Sequence, residues 1–177
     1  MTQLDSVMAK VRAENRAALI AYIPAGFPSQ QGCAKAIQAL AAAGVDAIEI
    51  GFPYSDPVMD GPVIQEAAEI SLKGGTNAAD VFAALKVATD TGVAAVVMTY
   101  WNPVMQYGVE KFAADLAAAG GAGLITPDLI PDEGSDWLEA SDKYNLDRVF
   151  LAAPSSSAER SKVATDLSRG FVYAVST

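Results

Sequence analysis

Residues 93–126 read VAAVVMTYWNPVMQYGVEKFAADLAAAGGAGLIT, and this stretch decides the fold class. Val93 to Thr99 is a short, nearly unbroken apolar run with no polar alternation. That is the pattern of a strand buried on both faces. Val109 to Ala119 spaces its apolar residues at helical intervals, and Gly120-Gly121 stops the helix. Gly123 to Thr126 is a second buried-type strand. Two such strands joined through one helix form a βαβ unit, whose strands run parallel.

The same alternation extends in both directions. Upstream, Asp5 to Glu14 predicts a leading helix, and Ala18 to Ile23 a first strand broken by Pro24 and Gly26. Ser29 is placed to cap a helix to about Ala43, stopped by Gly44. Ala47 to Ile50 predicts the second strand. Pro62 to Leu72 predicts a helix with proline in its first turn, and Asn77 a cap for another to about Ala88. Downstream come a helix at Asp132 to Tyr144, a fifth strand at Arg148 to Ala152, a helix at Ala158 to Ser168, and a sixth strand from Phe171 through Val175, ending in Ser176 and Thr177.

Two architectures accept repeated βα units: an open doubly wound sheet and a (β/α)8 TIM barrel. The first strand is not followed by the Gly-rich turn of dinucleotide-binding sheets, which weighs against the first. A barrel needs eight strands and typically ~250 residues. The 177 residues supply six strands. The expected fold is therefore α/β, a TIM barrel of which only about the first six βα units are present, in one incomplete domain over residues 1–177.

Composition excludes several functions. Net charge is −9, against the basic surface that nucleic-acid binding requires. The longest apolar runs are far too short to span a bilayer. The N-terminus has no basic stretch leading into an apolar core, which argues against a signal peptide. A single cysteine, Cys33, allows no intrachain disulfide and fits a reducing cytoplasm. The chain has no histidine, which removes histidine-based nucleophile pairs and, with one cysteine, the usual zinc sites. Acid–base chemistry is left to Asp, Glu, Tyr and Lys.

In a βα barrel, active-site residues stand at the C-terminal ends of the strands. Glu49 is notable because it sits inside a strand between Ile48 and Ile50. Side chains alternate, so if both isoleucines face the helices, Glu49 points into the barrel, where burial raises a carboxyl pKa. Its alternatives are an edge residue in solvent or a carboxylate satisfied by backbone. Asp60, before Gly61-Pro62, reads equally as a helix N-cap, and Asp56-Pro57 as a turn. Tyr22, Tyr100 and Tyr173 end three strands; they read as core lids, or as one rim suited to a flat aromatic ligand.

Residues 49–65, EIGFPYSDPVMDGPVIQ, carry a long and specific resemblance to the signature of the tryptophan synthase alpha chain family. YIPAGFP from Tyr22, MTYWNP from Met98, GLITPDLIPDE from Gly123 and GFVYAVST from Gly170 extend it along the chain. The wording is most similar to actinobacterial members. The resemblance implies a lyase that cleaves indole-3-glycerol phosphate to indole and glyceraldehyde 3-phosphate. It implies that Glu49 transfers protons and that Asp60 stabilises the protonated indole. Tyr22, Met98, Tyr100, Ile125, Leu151 and Tyr173 match pocket positions around the ring. Tyr22 stands where many relatives carry phenylalanine. The loop with Pro53 and Asp56 implies contact with a tryptophan synthase beta chain in an αββα complex. Pyridoxal phosphate belongs to that partner, leaving no cofactor and no metal in this chain.

The family's mobile Gly-rich loop after the sixth strand, and the phosphate site it shares with the last two strands, have no counterpart in these 177 residues. The residues alone are therefore expected to be inactive. Two rival readings are a stand-alone phosphate-handling barrel enzyme and a non-catalytic activating subunit. A barrel short of two staves would leave long exposed edges, so the gene product is expected to be longer. Its intact mass should lie well above 18.3 kDa; a mass at 18.3 kDa would refute that expectation.

Overall fold

The computed structural model describes residues 2–175. Ser176 and Thr177, read above as the end of the sixth strand, lie outside the described residues. Five strands form one parallel sheet: β1 (Ile20–Pro24), β2 (Ala47–Gly51), β3 (Ala94–Met98), β4 (Gly123–Ile125) and β5 (Asp147–Val149). Their spatial order is their sequence order, β1-β2-β3-β4-β5. A doubly wound sheet must reverse its strand order at a switch point, and this sheet does not. Adding each new strand to the same edge is the path of a barrel.

The fifth expected strand, Arg148 to Ala152, is divided at Phe150. Its first half is β5, paired with β4; its second half is β6 (Leu151–Ala152), paired in parallel with β7 (Tyr173–Ala174). The break has a local cause. The Phe150 N–H donates to the Ser168 hydroxyl at 3.2 Å, while the Phe150 carbonyl accepts from the Tyr173 N–H at 3.1 Å. The backbone therefore hands over from one neighbour to the next, the stagger expected of barrel staves. Side chains keep their alternation across the break, with Val149 and Leu151 inward and Phe150 outward. The sixth strand is shorter than the span from Phe171 to Val175.

Helices connect the strands: α1 (Gln3–Ala13), α2 (Gln30–Ala42), α3 (Pro62–Lys73), α4 (Ala78–Asp90), α5 (Trp101–Tyr107), α6 (Val109–Ala118), α7 (Ser135–Lys143) and α8 (Ala158–Leu167). Ser29 caps α2, and Asn77 and Asp80 form a reciprocal cap on α4. The helix expected from Asp132 begins later, because Pro131–Glu133 makes a separate 3-10 turn before α7. Helix α5 was not expected. Its start follows Tyr100, and its Trp101 N–H is satisfied from a distance by the Asp128 carboxylate at 2.8 Å.

Two apolar layers result. The outer one packs Ile48, Ile50, Val97, Leu124 and Phe150 against helix residues such as Ile37, Leu85, Phe112 and Trp137. The inner one gathers Ala47, Ala94, Val96, Ile125 and Val149 around Leu4 of α1, which is 0% exposed. Small side chains at Ala47 and Ala94 leave the room that Leu4 fills. Helix α1 is fixed at its start by a Thr2–Asp5 capping box, one turn from this contact. No helix among the described residues is long and apolar enough to cross a membrane. Replacing Leu4 by alanine should cost roughly 2–5 kcal/mol in urea unfolding, the usual cost of an unfilled core site. A loss below about 0.5 kcal/mol, the level of a surface substitution, would show that α1 does not seal the inner layer.

Candidate active site

The alternation of β2 settles the orientation of Glu49. Ile48 and Ile50 join the outer layer beneath the helices, so Glu49 points inward. Its Cα partners are Tyr22 on β1 and Val96 on β3. The residue is 6% exposed. Burial alone accounts for its titration and pushes the carboxyl up to about 7. No opposite charge and no hydrogen bond among the described residues pulls it back.

Asp60 approaches from the loop before α3. The N-cap of that helix is Gly61, and no side chain caps it, so the capping role read for Asp60 in the sequence is not the one it takes. Half-buried, its carboxyl is raised by burial, while the neighbouring Tyr100 hydroxyl pulls in the opposite direction. The same hydroxyl accepts a hydrogen bond from the Met59 N–H at 2.9 Å. Tyr100 thus ties the end of β3 to the loop and sets where Asp60 lies. The Tyr54 ring packs on Tyr100 with centroids 5.2 Å apart, and the Asn102 amide donates to the Tyr54 hydroxyl at 3.2 Å.

A cavity of about 450 Å³ opens over these two carboxyls. Of the residues singled out in the sequence, Tyr22, Glu49, Asp60, Met98, Leu151 and Tyr173 line it. Tyr100 lies just outside, in a small adjoining cleft shared with Tyr22, Asp60 and Met98. Ile125 does not reach the cavity. It is 0% exposed and pairs with Met98 across β3 and β4, so it supports the floor from below. Pro53 is buried beside the loop, and Asp56 is exposed, taking a hydrogen bond from its neighbour Ser55 at 2.5 Å.

Met59, Gly61, Ile64 and Pro127 also line the cavity and were not singled out in the sequence. They sit in loops or a first helical turn, where no periodicity marks a facing direction. Tyr22 and Ile64 form a wall shared with an apolar groove of about 730 Å³ between α2 and α3. Among the described residues no cluster of three His, Cys, Asp or Glu side chains could hold a metal ion.

One buried and one half-buried carboxyl, both with pKa values raised by burial and facing one cavity, can hold and exchange protons with a flat ligand. Comparisons with known proteins agree in kind. The family model described as tryptophan synthase alpha chain matches residues 8–177. The tryptophan synthase alpha chain of Thermobifida fusca is 57% identical over 99% of this chain, and that of Nocardia farcinica 56% over 99%. The chain spans 65% of the length of the first relative and 66% of the second. Solved tryptophan synthase from M. tuberculosis, in its aminoacrylate-bound form, superposes with a TM-score of 0.98 at 55% identity, covering 99% of this chain and 72% of that one. The alpha subunit from Legionella pneumophila superposes at 0.94 with 33% identity, covering 99% and 68%. The fold is thus that of a TIM barrel over the part present, and the chain belongs to the tryptophan synthase alpha chain family.

Proposed function

We propose that the gene product carrying this chain is a carbon–carbon lyase. It would split indole-3-glycerol phosphate into indole and glyceraldehyde 3-phosphate by a retro-aldol step in tryptophan biosynthesis. The observation that carries the reading is Glu49: a buried carboxyl without a counter-charge, on the wall of the cavity that Asp60 also lines. Family membership supplies the substrate class.

The geometry supports a closed proton cycle. Neutral Glu49 gives its proton to indole C3, which leaves the ring cationic. Asp60, as a carboxylate beside the ring nitrogen, stabilises that charge. The bond between C3 and the hydroxyl-bearing carbon then breaks. Its electron pair returns to the ring, giving neutral indole, and the carbon becomes an aldehyde as its hydroxyl proton passes to ionised Glu49. The cycle ends with Glu49 protonated as it began. A carboxyl held at about 7 suits both halves, since each protonation state is populated near neutrality. Met98, Leu151 and Tyr173 would grip the ring through apolar contact.

The partner in this reading is a tryptophan synthase beta chain, joined through the loop with Pro53 and Asp56 in an αββα complex. The exposed Val58 and Met59, at 80% and 48%, extend that surface. Pyridoxal phosphate would reside in the partner, with no cofactor in this chain, and the enzyme would work in the cytoplasm.

The test is indole release from indole-3-glycerol phosphate by the intact gene product, with beta chain present. Glu49→Gln should lower kcat about 10²- to 10⁴-fold, the usual worth of a positioned acid–base group. Because the cycle starts from protonated Glu49, wild-type activity should fall as the pH rises through about 7. Retained activity in Glu49→Gln would refute this role, and release indifferent to the beta chain would refute the partner.

A further inference from the structure

Tyr22 holds a position that the proton cycle leaves unused. It is the Cα partner of Glu49 on the neighbouring strand, so both side chains rise from the same inner face. Its ring leans across β2 toward Gly51. A Cβ placed on Gly51 would come within 2.2 Å of the Tyr22 hydroxyl oxygen and 2.6 Å of the ring carbon that bears it. The missing side chain of Gly51 is therefore a notch that seats the phenol. Gly51 is two residues beyond Glu49 on the same face, about 7 Å along the strand. The notch thus fixes the hydroxyl in the cavity above Glu49.

Among the described residues the hydroxyl also has no structural work to do. Among the described residues no acceptor or donor reaches it; its surroundings act through burial first and then through the charges of Asp60 and Glu49. Both influences raise its pKa, so it stays protonated and keeps a hydrogen to donate across the working pH range. Asp60 is already engaged by the Tyr100 hydroxyl. A half-buried donor that faces the cavity between two carboxyls, with no hydrogen-bond partner among the described residues, points to an acceptor that arrives with the ligand.

We infer that the Tyr22 hydroxyl determines specificity by donating a hydrogen bond to an oxygen of the substrate's hydroxylated three-carbon chain, next to the hydroxyl that Glu49 deprotonates. The inference rests on the lyase reading and adds to it a group that reads the polyol rather than the indole. A phenyl ring at this position would keep the apolar wall and lose the reader.

The test compares wild type with Tyr22→Phe in the intact gene product with beta chain. Two ligands are used: indole-3-glycerol phosphate, and an inhibitor in which indole and phosphate are joined by an unhydroxylated three-carbon chain. Tyr22→Phe should weaken the substrate about fivefold, the size of one neutral hydrogen bond. It should leave the inhibition constant of the unhydroxylated analogue and the alkaline limb of the pH profile unchanged. Equal weakening of both ligands would mean that only the shape of the wall matters and would overturn the inference. A shifted alkaline limb would also overturn it, by placing the hydroxyl on Glu49 instead, as would kinetics identical to wild type. If wild type releases no indole, the lyase reading itself falls and takes this inference with it.

Discussion

Strand β2 carries two opposed demands within five residues. Ile48 and Ile50 must be apolar to seat the helices, and between them Glu49 must put a carboxyl into a largely buried space where no described residue offers it an opposite charge. Strand alternation makes the two compatible by sending them to opposite faces. The inner face then has to tolerate Glu49. It does so because the carboxyl sits at the cavity end of the strand, while the opposite end is closed by Ala47 packed under Leu4. The cavity, the raised carboxyl and the small residues below it are consequences of one placement.

Much of this was legible in the sequence, and the physical reason is locality. Strand runs, glycine stops and the caps at Ser29 and Asn77 depend on a few adjacent residues, and they appear where expected. The inward direction of Glu49 followed from a two-residue period once the isoleucines were assigned to the helix side. Glu49 and five of the other residues singled out line one cavity. Family resemblance added the substrate class, which no period or spacing contains.

What was not legible depends on long-range contacts. Asp60 reads as a helix cap because Gly61-Pro62 follows it; its actual place is set by Tyr100, which holds Met59 from just past β3, 41 residues away in the chain. Helix α5 was hidden because its first N–H is satisfied by Asp128, from the loop after the next strand. The division of the fifth stave at Phe150 depends on Ser168, beyond an intervening helix. Ile125 reads as a wall residue because it lies on the correct face, yet it is fully buried beside its strand partner Met98 and does not line the cavity. In each case sequence gives the direction of a side chain, while depth is fixed by what packs over it.

The handover at Phe150 has a kinetic consequence. Parallel staves pair only after an intervening helix has been crossed, so every contact across the sheet closes a long loop before it repays the entropy. Leu151 and Tyr173 meet through the last of these pairings, on strands only two residues long. Tyr22 and Glu49, by contrast, meet across β1 and β2, which leave the ribosome well before β6 and β7. The cavity is therefore built from walls that are synthesised at different times. A nascent chain would expose the inner face of β1 and β2, carboxyl included, until β7 docks, and that half-built surface is where a chaperone would act.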